Sequence, residues 1–229
     1  MKLRTLRKAG LLVALAAIGC GPSSPTSGSS EPGLSQTSLA AVQPGNTGRA
    51  VAQPKCLLII AVDVSKSTQY TRSQALSTVF DLAMGLDAKR YDLRIYRFSS
   101  KTEEVYTGVP DDEDQFSIDL ANALRPSDPT QGTNYPLMVE TIAKVVAEST
   151  DGNVKIDVIS DGGNDFQDAA SIKRYRKAAT QLDNDPKVSS ITFWGVEPGT
   201  REQLRNLFAD TGTKLHLLNS GQDLTEDQE

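Results

Sequence analysis

Two hydrophobic rhythms, one of short apolar runs and one of helical spacing, divide residues 55–218 into elements. Six apolar residues, Leu57 to Val62, run unbroken into Asp63-Val64-Ser65-Lys66-Ser67. A short run of this kind suits a strand buried on both faces of a parallel sheet, with Asp63 at its carboxyl end. Thr68 to Leu86 then carries Leu76, Val79, Phe80, Ala83 and Leu86 at helical spacing, with Ser67 or Thr68 placed to cap the helix. Tyr91 to Phe98 alternates, Leu93 and Ile95 against Arg94 and Tyr96. Thr102 to Gly108 follows closely, so a hairpin with an edge strand is expected.

Phe116, Leu120, Ala123 and Leu124 mark a short helix, and Pro126 to Thr133 is a loop by composition. Thr133 or Asn134 can cap the next helix, whose apolar face is Met138, Ile142, Val145 and Val146. Val154 to Ser160 is a strand that Asp161-Gly162-Gly163 breaks sharply. Asp165 is placed to cap a helix bearing Ile172, Tyr175, Ala179 and Leu182. Val188 to Val196 is a strand with the single tryptophan, Trp194, read as core or sheet surface. Thr200 and Gln203 have the spacing of a capping box before Leu204, Leu207 and Phe208, and Lys214 to Leu218 closes the sheet. Strands alternating with helices predict an α/β fold with a mostly parallel six-stranded sheet and helices on both faces.

Polar chemistry gathers where the first strand ends. In open α/β sheets ligands bind at the carboxyl ends of the strands. Asp63, Ser65 and Ser67, spaced by two, offer hard oxygen donors there. Magnesium, which takes few carboxylates and keeps several waters, fits such donors better than zinc or copper, which favour imidazole and thiolate. Taken by itself, the string also reads as a strand end followed by a helix cap.

Asp-x-Ser-x-Ser after a buried first strand resembles the opening of the metal-ion-dependent adhesion site of von Willebrand factor type A (vWA) domains. That family adds a threonine from a second loop and an aspartate from a third. Gln131-Gly132-Thr133-Asn134 and Ser160-Asp161-Gly162-Gly163 stand in that order. The resemblance spans residues 55–219 and implies a Rossmann-like three-layer sandwich with one antiparallel edge strand. It also implies that Ser65, Ser67 and Thr133 touch magnesium, or manganese, directly or through water, with Asp63 and Asp161 mainly behind water. Neutral ligands leave the ion enough positive character to accept an Asp or Glu carboxylate from a protein partner. The chain departs from the family, where a longer last helix often follows, and that departure puts a piston-like affinity switch in doubt.

Composition adds an address. Lys2, Arg4, Arg7 and Lys8 precede the short apolar stretch Ala9 to Gly19, a secretory signal over residues 1–19. The sequence Ala17-Ile18-Gly19-Cys20 resembles a bacterial lipobox. Its cysteine becomes a lipid-bearing first residue, although Ala17 replaces the usual large aliphatic. A membrane-anchored envelope lipoprotein is the expectation, with a secreted or periplasmic soluble protein as the alternative.

Residues 20–54, rich in Ser, Pro, Gly, Thr and Gln, read as a disordered tether with a root-mean-square reach of ~30 Å. Residues 220–229 form an acidic tail. With Cys20 lipidated, Cys56 is the remaining thiol, so no internal disulfide forms; it reads as a small buried hydrophobe.

Charge narrows the partners. Residues 1–19 hold four of the 24 basic residues and none of the 29 acids, so the mature chain carries about −9, against nucleic acid as a partner. The one basic cluster, residues 173–177, reads as a solvated helix face around Tyr175.

Three function classes follow. The first is an envelope-anchored, metal-dependent protein-binding domain for adhesion or assembly. The second is a scaffold with a structural metal. The third is a phosphatase of the haloacid dehalogenase type, which opens on an aspartate like Asp63 but needs a second acid where this chain has Ser65. No nucleophile elbow, P-loop or dinucleotide fingerprint is present, and the single histidine, His216, falls inside a strand pattern. The expectation is therefore a binder and not an enzyme.

Overall fold

Strand β1, Cys56–Asp63, is buried at every position, because the sheet places helices over both of its faces. Its side chains divide by parity. Leu57, Ile59 and Ala61 join one core, while Leu58, Ile60 and Val62 join the other. Each fully buried Ile contributes ~1.5–3 kcal/mol relative to an exposed one, which is why this strand admits no polar residue before Asp63.

The computed structural model describes residues 55–125, 132–208 and 214–218. The signal over 1–19, Cys20, the tether to residue 54 and the tail over 220–229 lie outside the described residues. The elements after β1 are α1 (Arg72–Met84), β2 (Tyr91–Phe98), β3 (Thr102–Thr107), α2 (Glu113–Ala123), α3 (Tyr135–Glu148), β4 (Asn153–Ile159), α4 (Ala169–Asn184), β5 (Val188–Trp194), α5 (Arg201–Leu207) and β6 (Leu215–Leu217). The six strands are ordered β3-β2-β1-β4-β5-β6. Only β3 is antiparallel to its neighbour, as the close spacing of the hairpin predicts. The architecture is thus a three-layer α/β sandwich with a mostly parallel sheet and one antiparallel edge strand.

Helices α1 and α2 supply Val79, Ala83, Phe116 and Leu120 to one core. The opposite core takes Met138 and Ile142 from α3, Tyr175 and Leu182 from α4, and Leu204 from α5. Tyr175 is fully buried between exposed Lys173, Arg174, Arg176 and Lys177, so the basic cluster is a solvated face. Arg174 pairs there with Glu140 of α3. Cys56 is buried at 2% exposure, and His216 lies exposed on β6.

Several helix starts differ from their sequence signatures. A 3-10 turn, Ser67–Tyr70, intervenes before α1, whose first turn has no side-chain cap. Asn134, not Thr133, caps α3 by accepting the Leu137 N–H. Asp168, not Asp165, caps α4 by accepting the Ser171 N–H. Thr200 sits at the N-cap of α5 without making the cap bond. In each case the displaced residue has a tertiary partner, described next.

Candidate metal centre

Three loops meet at the carboxyl edge of the sheet where β1 and β4 lie side by side. The strand order turns there: β2 and β3 extend from one side of β1, β4 to β6 from the other. A crevice at such a switch point is where α/β sheets bind ligands.

The Asp63 carboxylate is the hub. Its Oδ1 accepts the Ser65 N–H at 2.9 Å. Its Oδ2 accepts the Ser160 hydroxyl at 2.7 Å and the Thr133 hydroxyl at 3.4 Å. The Ser65 and Ser67 hydroxyl oxygens stand 3.2 Å apart. Asp63, Ser65 and Thr133 are each at most 3% exposed, whereas Ser67 is open to solvent. Burial pushes the Asp63 pKa up to about 6. Hydrogen bonds from Ser160 and Ser65 oppose that rise, and the nearby charge of Asp161 adds to it.

Asp161 is placed differently from the other four. It is half-buried, and its Oδ1 accepts the Gly163 N–H at 2.9 Å. Its carbonyl accepts the Glu197 N–H at 3.0 Å and the Thr200 hydroxyl at 2.9 Å, which is where the expected α5 capping hydroxyl has gone. Asp161 therefore faces the hub through its charge, while direct contacts join Asp63, Ser65, Ser67 and Thr133.

Local structure fixes the loops. The Thr68 hydroxyl sits 3.0 Å from both the Asp63 and Ser65 carbonyls, folding the first loop back on the strand end. That is why it does not cap α1. The second and third loops are clasped: Asp165 Oδ2 accepts the Thr133 N–H at 2.7 Å, and the Asp165 N–H donates to the Thr133 carbonyl at 3.1 Å. A Cβ on Gly132 would stand 2.4 Å from that Asp165 oxygen, so glycine is required for the clasp. Gly162 has φ of +89°, and a Cβ there would meet the Thr200 hydroxyl oxygen at 2.4 Å.

The donor set fits a small hard cation. Neighbouring ligands of an octahedron with ~2.1 Å bonds are ~3 Å apart, close to the Ser65–Ser67 spacing. The Thr133 hydroxyl, whose proton goes to Asp63, keeps lone pairs free to face an ion. Among the described residues no group of three or more His, Cys, Asp and Glu could hold a metal, so a thiolate or imidazole centre has no place here. Ser65, Ser67 and Thr133 would hold the ion, with Asp63 and Asp161 supplying negative charge behind them.

Ser160, Tyr135, Asp165 and Thr68 carry the hub yet stand outside the five residues that the motif named. Ser160 had one signal: the β1–β4 register pairs Val62 with Ile159, which carries the next two residues, Asp63 and Ser160, toward each other. That register is a tertiary fact.

No family model matches the chain, and no curated protein matches it. Its fold is similar to solved structures. These include the conserved hypothetical protein BatB from Bacteroides thetaiotaomicron, with 18% identity over 73% of this chain and 91% of that one, TM-score 0.52. The ArnB paralogue VWA2 from Sulfolobus acidocaldarius shares 19% identity over 74% and 43%, TM-score 0.52. Proximal thread matrix protein 1 from the mussel byssus, in a form with a zinc-occupied MIDAS motif, shares 13% over 74% and 42%, TM-score 0.53. The chain thus spans most of BatB but under half of the other two. The fold is that of vWA domains.

Proposed function

We propose that the domain is a divalent-cation-dependent protein-binding module, held at a bacterial envelope membrane by lipid on Cys20. The observation that carries this reading is the cluster built on the buried Asp63 carboxylate at the sheet's switch point: the Ser65 N–H and the Thr133 hydroxyl bond to it, and the Ser65 and Ser67 hydroxyls stand side by side next to it. Neutral oxygens in direct contact leave a bound ion short of negative charge. A carboxylate from a partner's Asp or Glu supplies it and completes an octahedron. The hardness of the donors favours magnesium or manganese; the mussel protein, with its zinc-occupied motif, lends support to divalent binding on this fold.

The residues at this site bind and orient. Asp63 collects hydroxyl protons, and Thr68 and Asp165 fix the loops, roles that suit holding an ion in place. Among the described residues the exposed large apolar side chains are Ile118, at 56%, and Tyr70, at 87%, so in this reading the ion carries the recognition. A membrane-facing location rests on the leader and Cys20, and among the described residues no helix is long and apolar enough to cross a membrane.

Thermal unfolding of the full chain tests the reading. Chelated protein should gain ~2.7 kcal/mol when magnesium or manganese is added at a hundred times Kd. Asp63→Ala should show no gain. An unchanged midpoint in the wild type at millimolar metal would overturn the proposal.

A further inference from the structure

The hub does not end at Asp63. Tyr135, the first residue of α3, sends its hydroxyl to the Ser160 oxygen at 2.5 Å, and Ser160 in turn reaches Asp63 Oδ2. Tyr135 has no exposed surface, and Ser160 is 4% exposed. The Gly162 N–H also donates to the Ser160 oxygen, at 3.2 Å.

The direction of this chain is forced. An ionised carboxylate only accepts, so the single Ser160 proton goes to Asp63. Ser160 then has nothing left to give Tyr135, and the tyrosine must donate to it. Two donors therefore polarise one hydroxyl that points at the hub, and such chains strengthen each bond in them. With the Ser65 N–H on Oδ1 and Ser160 on Oδ2, both carboxylate oxygens are pinned, so the plane cannot turn away from the hydroxyl set.

The tyrosine is itself immobile. Its ring packs on Phe98, Tyr175 and Phe193, with centroids 5.5, 6.2 and 6.0 Å away. Thr133 stands two residues ahead of it, in the loop that leads into α3. Asp63 Oδ2 is thus reached by two routes from neighbouring positions, directly from Thr133 and through Ser160 from Tyr135.

We infer that Tyr135 and Ser160 are positioning residues of the cation site, a buried hydroxyl chain that sets the orientation of Asp63 and so the affinity for the ion. This inference rests on the metal-site reading above. A matched control lies in the same aromatic cluster: the Tyr175 hydroxyl is buried with no hydrogen-bond partner among the described residues, and its ring stacks on that of Tyr135. Removing either oxygen leaves both rings in place, but only one of them belongs to the chain.

The experiment is titration of the full chain with Mn2+, read by the electron paramagnetic resonance of the free ion, with Mg2+ as competitor. Loss of a group that orients a metal site from behind its ligands typically costs 10–100-fold in affinity. Tyr135→Phe should weaken Mn2+ binding about tenfold, Ser160→Ala by up to about 100-fold, and Tyr175→Phe should stay within about twofold of wild type. Should Ser160→Ala fail to fold, Tyr135→Phe, which keeps the ring and its packing, decides alone. Wild-type affinity in Tyr135→Phe, or an equal loss in Tyr135→Phe and Tyr175→Phe, would overturn the inference while leaving the metal site standing. A wild type that binds neither ion would overturn both.

Discussion

Asp63 and Asp157 stand on neighbouring strands of one sheet, and burial pushes both carboxyls up to about 6. One is the hub of a candidate site; the other is a strand residue. Asp157 lies mid-strand, in register with Ile60 on one side and Thr192 on the other, and accepts the Trp194 Nε1–H at 2.8 Å. Its hydrogen-bonding partners, Trp194 and Thr192, both belong to the neighbouring strand β5 and not to the loops that meet at the site. Asp63 stands where the strand ends, and one of its partners, the Thr133 hydroxyl, keeps lone pairs after giving up its proton. A raised pKa thus marks burial in both places, and the position on the strand and the loops that meet there separate site from structure.

The largest effect expected is at Asp63. Asp63→Asn keeps the shape but removes the charge and one acceptor, so the affinity for magnesium should fall at least about 100-fold, measured by calorimetry on the full chain. The same change at Asp157 should leave metal affinity unaltered. Equal losses in the two variants would show that both act through the fold, and the comparison would collapse.

Next comes the turn that supports the hub. Gly162→Ala forces a side chain at φ of +89° onto Thr200, whose hydroxyl holds the Asp161 carbonyl. A loss on the order of 2 kcal/mol is expected in chemical denaturation, together with weaker metal binding. By contrast Gly199→Ala, with nothing within 4 Å of its Cβ, should cost well under half as much. A silent Gly162→Ala would mean that the third loop has slack.

The smallest effect is a pH dependence. The folded-state pKa of Asp157 is raised, so its contribution to stability is fully present below about 4 and is lost as pH rises through about 6. Asp157→Asn, which still accepts from Trp194, should therefore match wild type near pH 4. Near pH 7, in chelated protein, it should be more stable by about 1 kcal/mol, partial solvent contact damping the full cost. Denaturation midpoints at the two pH values check the sign; a variant less stable at pH 7 would show that Trp194 needs the charge.

Much of this was legible in the chain itself. The unbroken run Leu57 to Val62 announces a strand covered on both faces, and β1 is buried throughout. The alternation of Tyr91 to Phe98 and the nearby Thr102 to Gly108 give the antiparallel edge, because a short connection permits only that pairing. Local caps were less legible. Asp165 and Thr200 carry good capping oxygens, but Thr133 and Asp161 offer them tertiary partners across the crevice.

What the sequence determined by itself are the elements, their order, and the oxygen donors at the end of the first strand, since each depends on neighbours within a few residues. Only the tertiary structure decided how those donors are held. Ser160 reaches Asp63 from 97 positions away, and Tyr135 reaches Ser160 from 25. Bonds of that span follow from the register of β1 against β4 and from where α3 begins, which no local periodicity encodes.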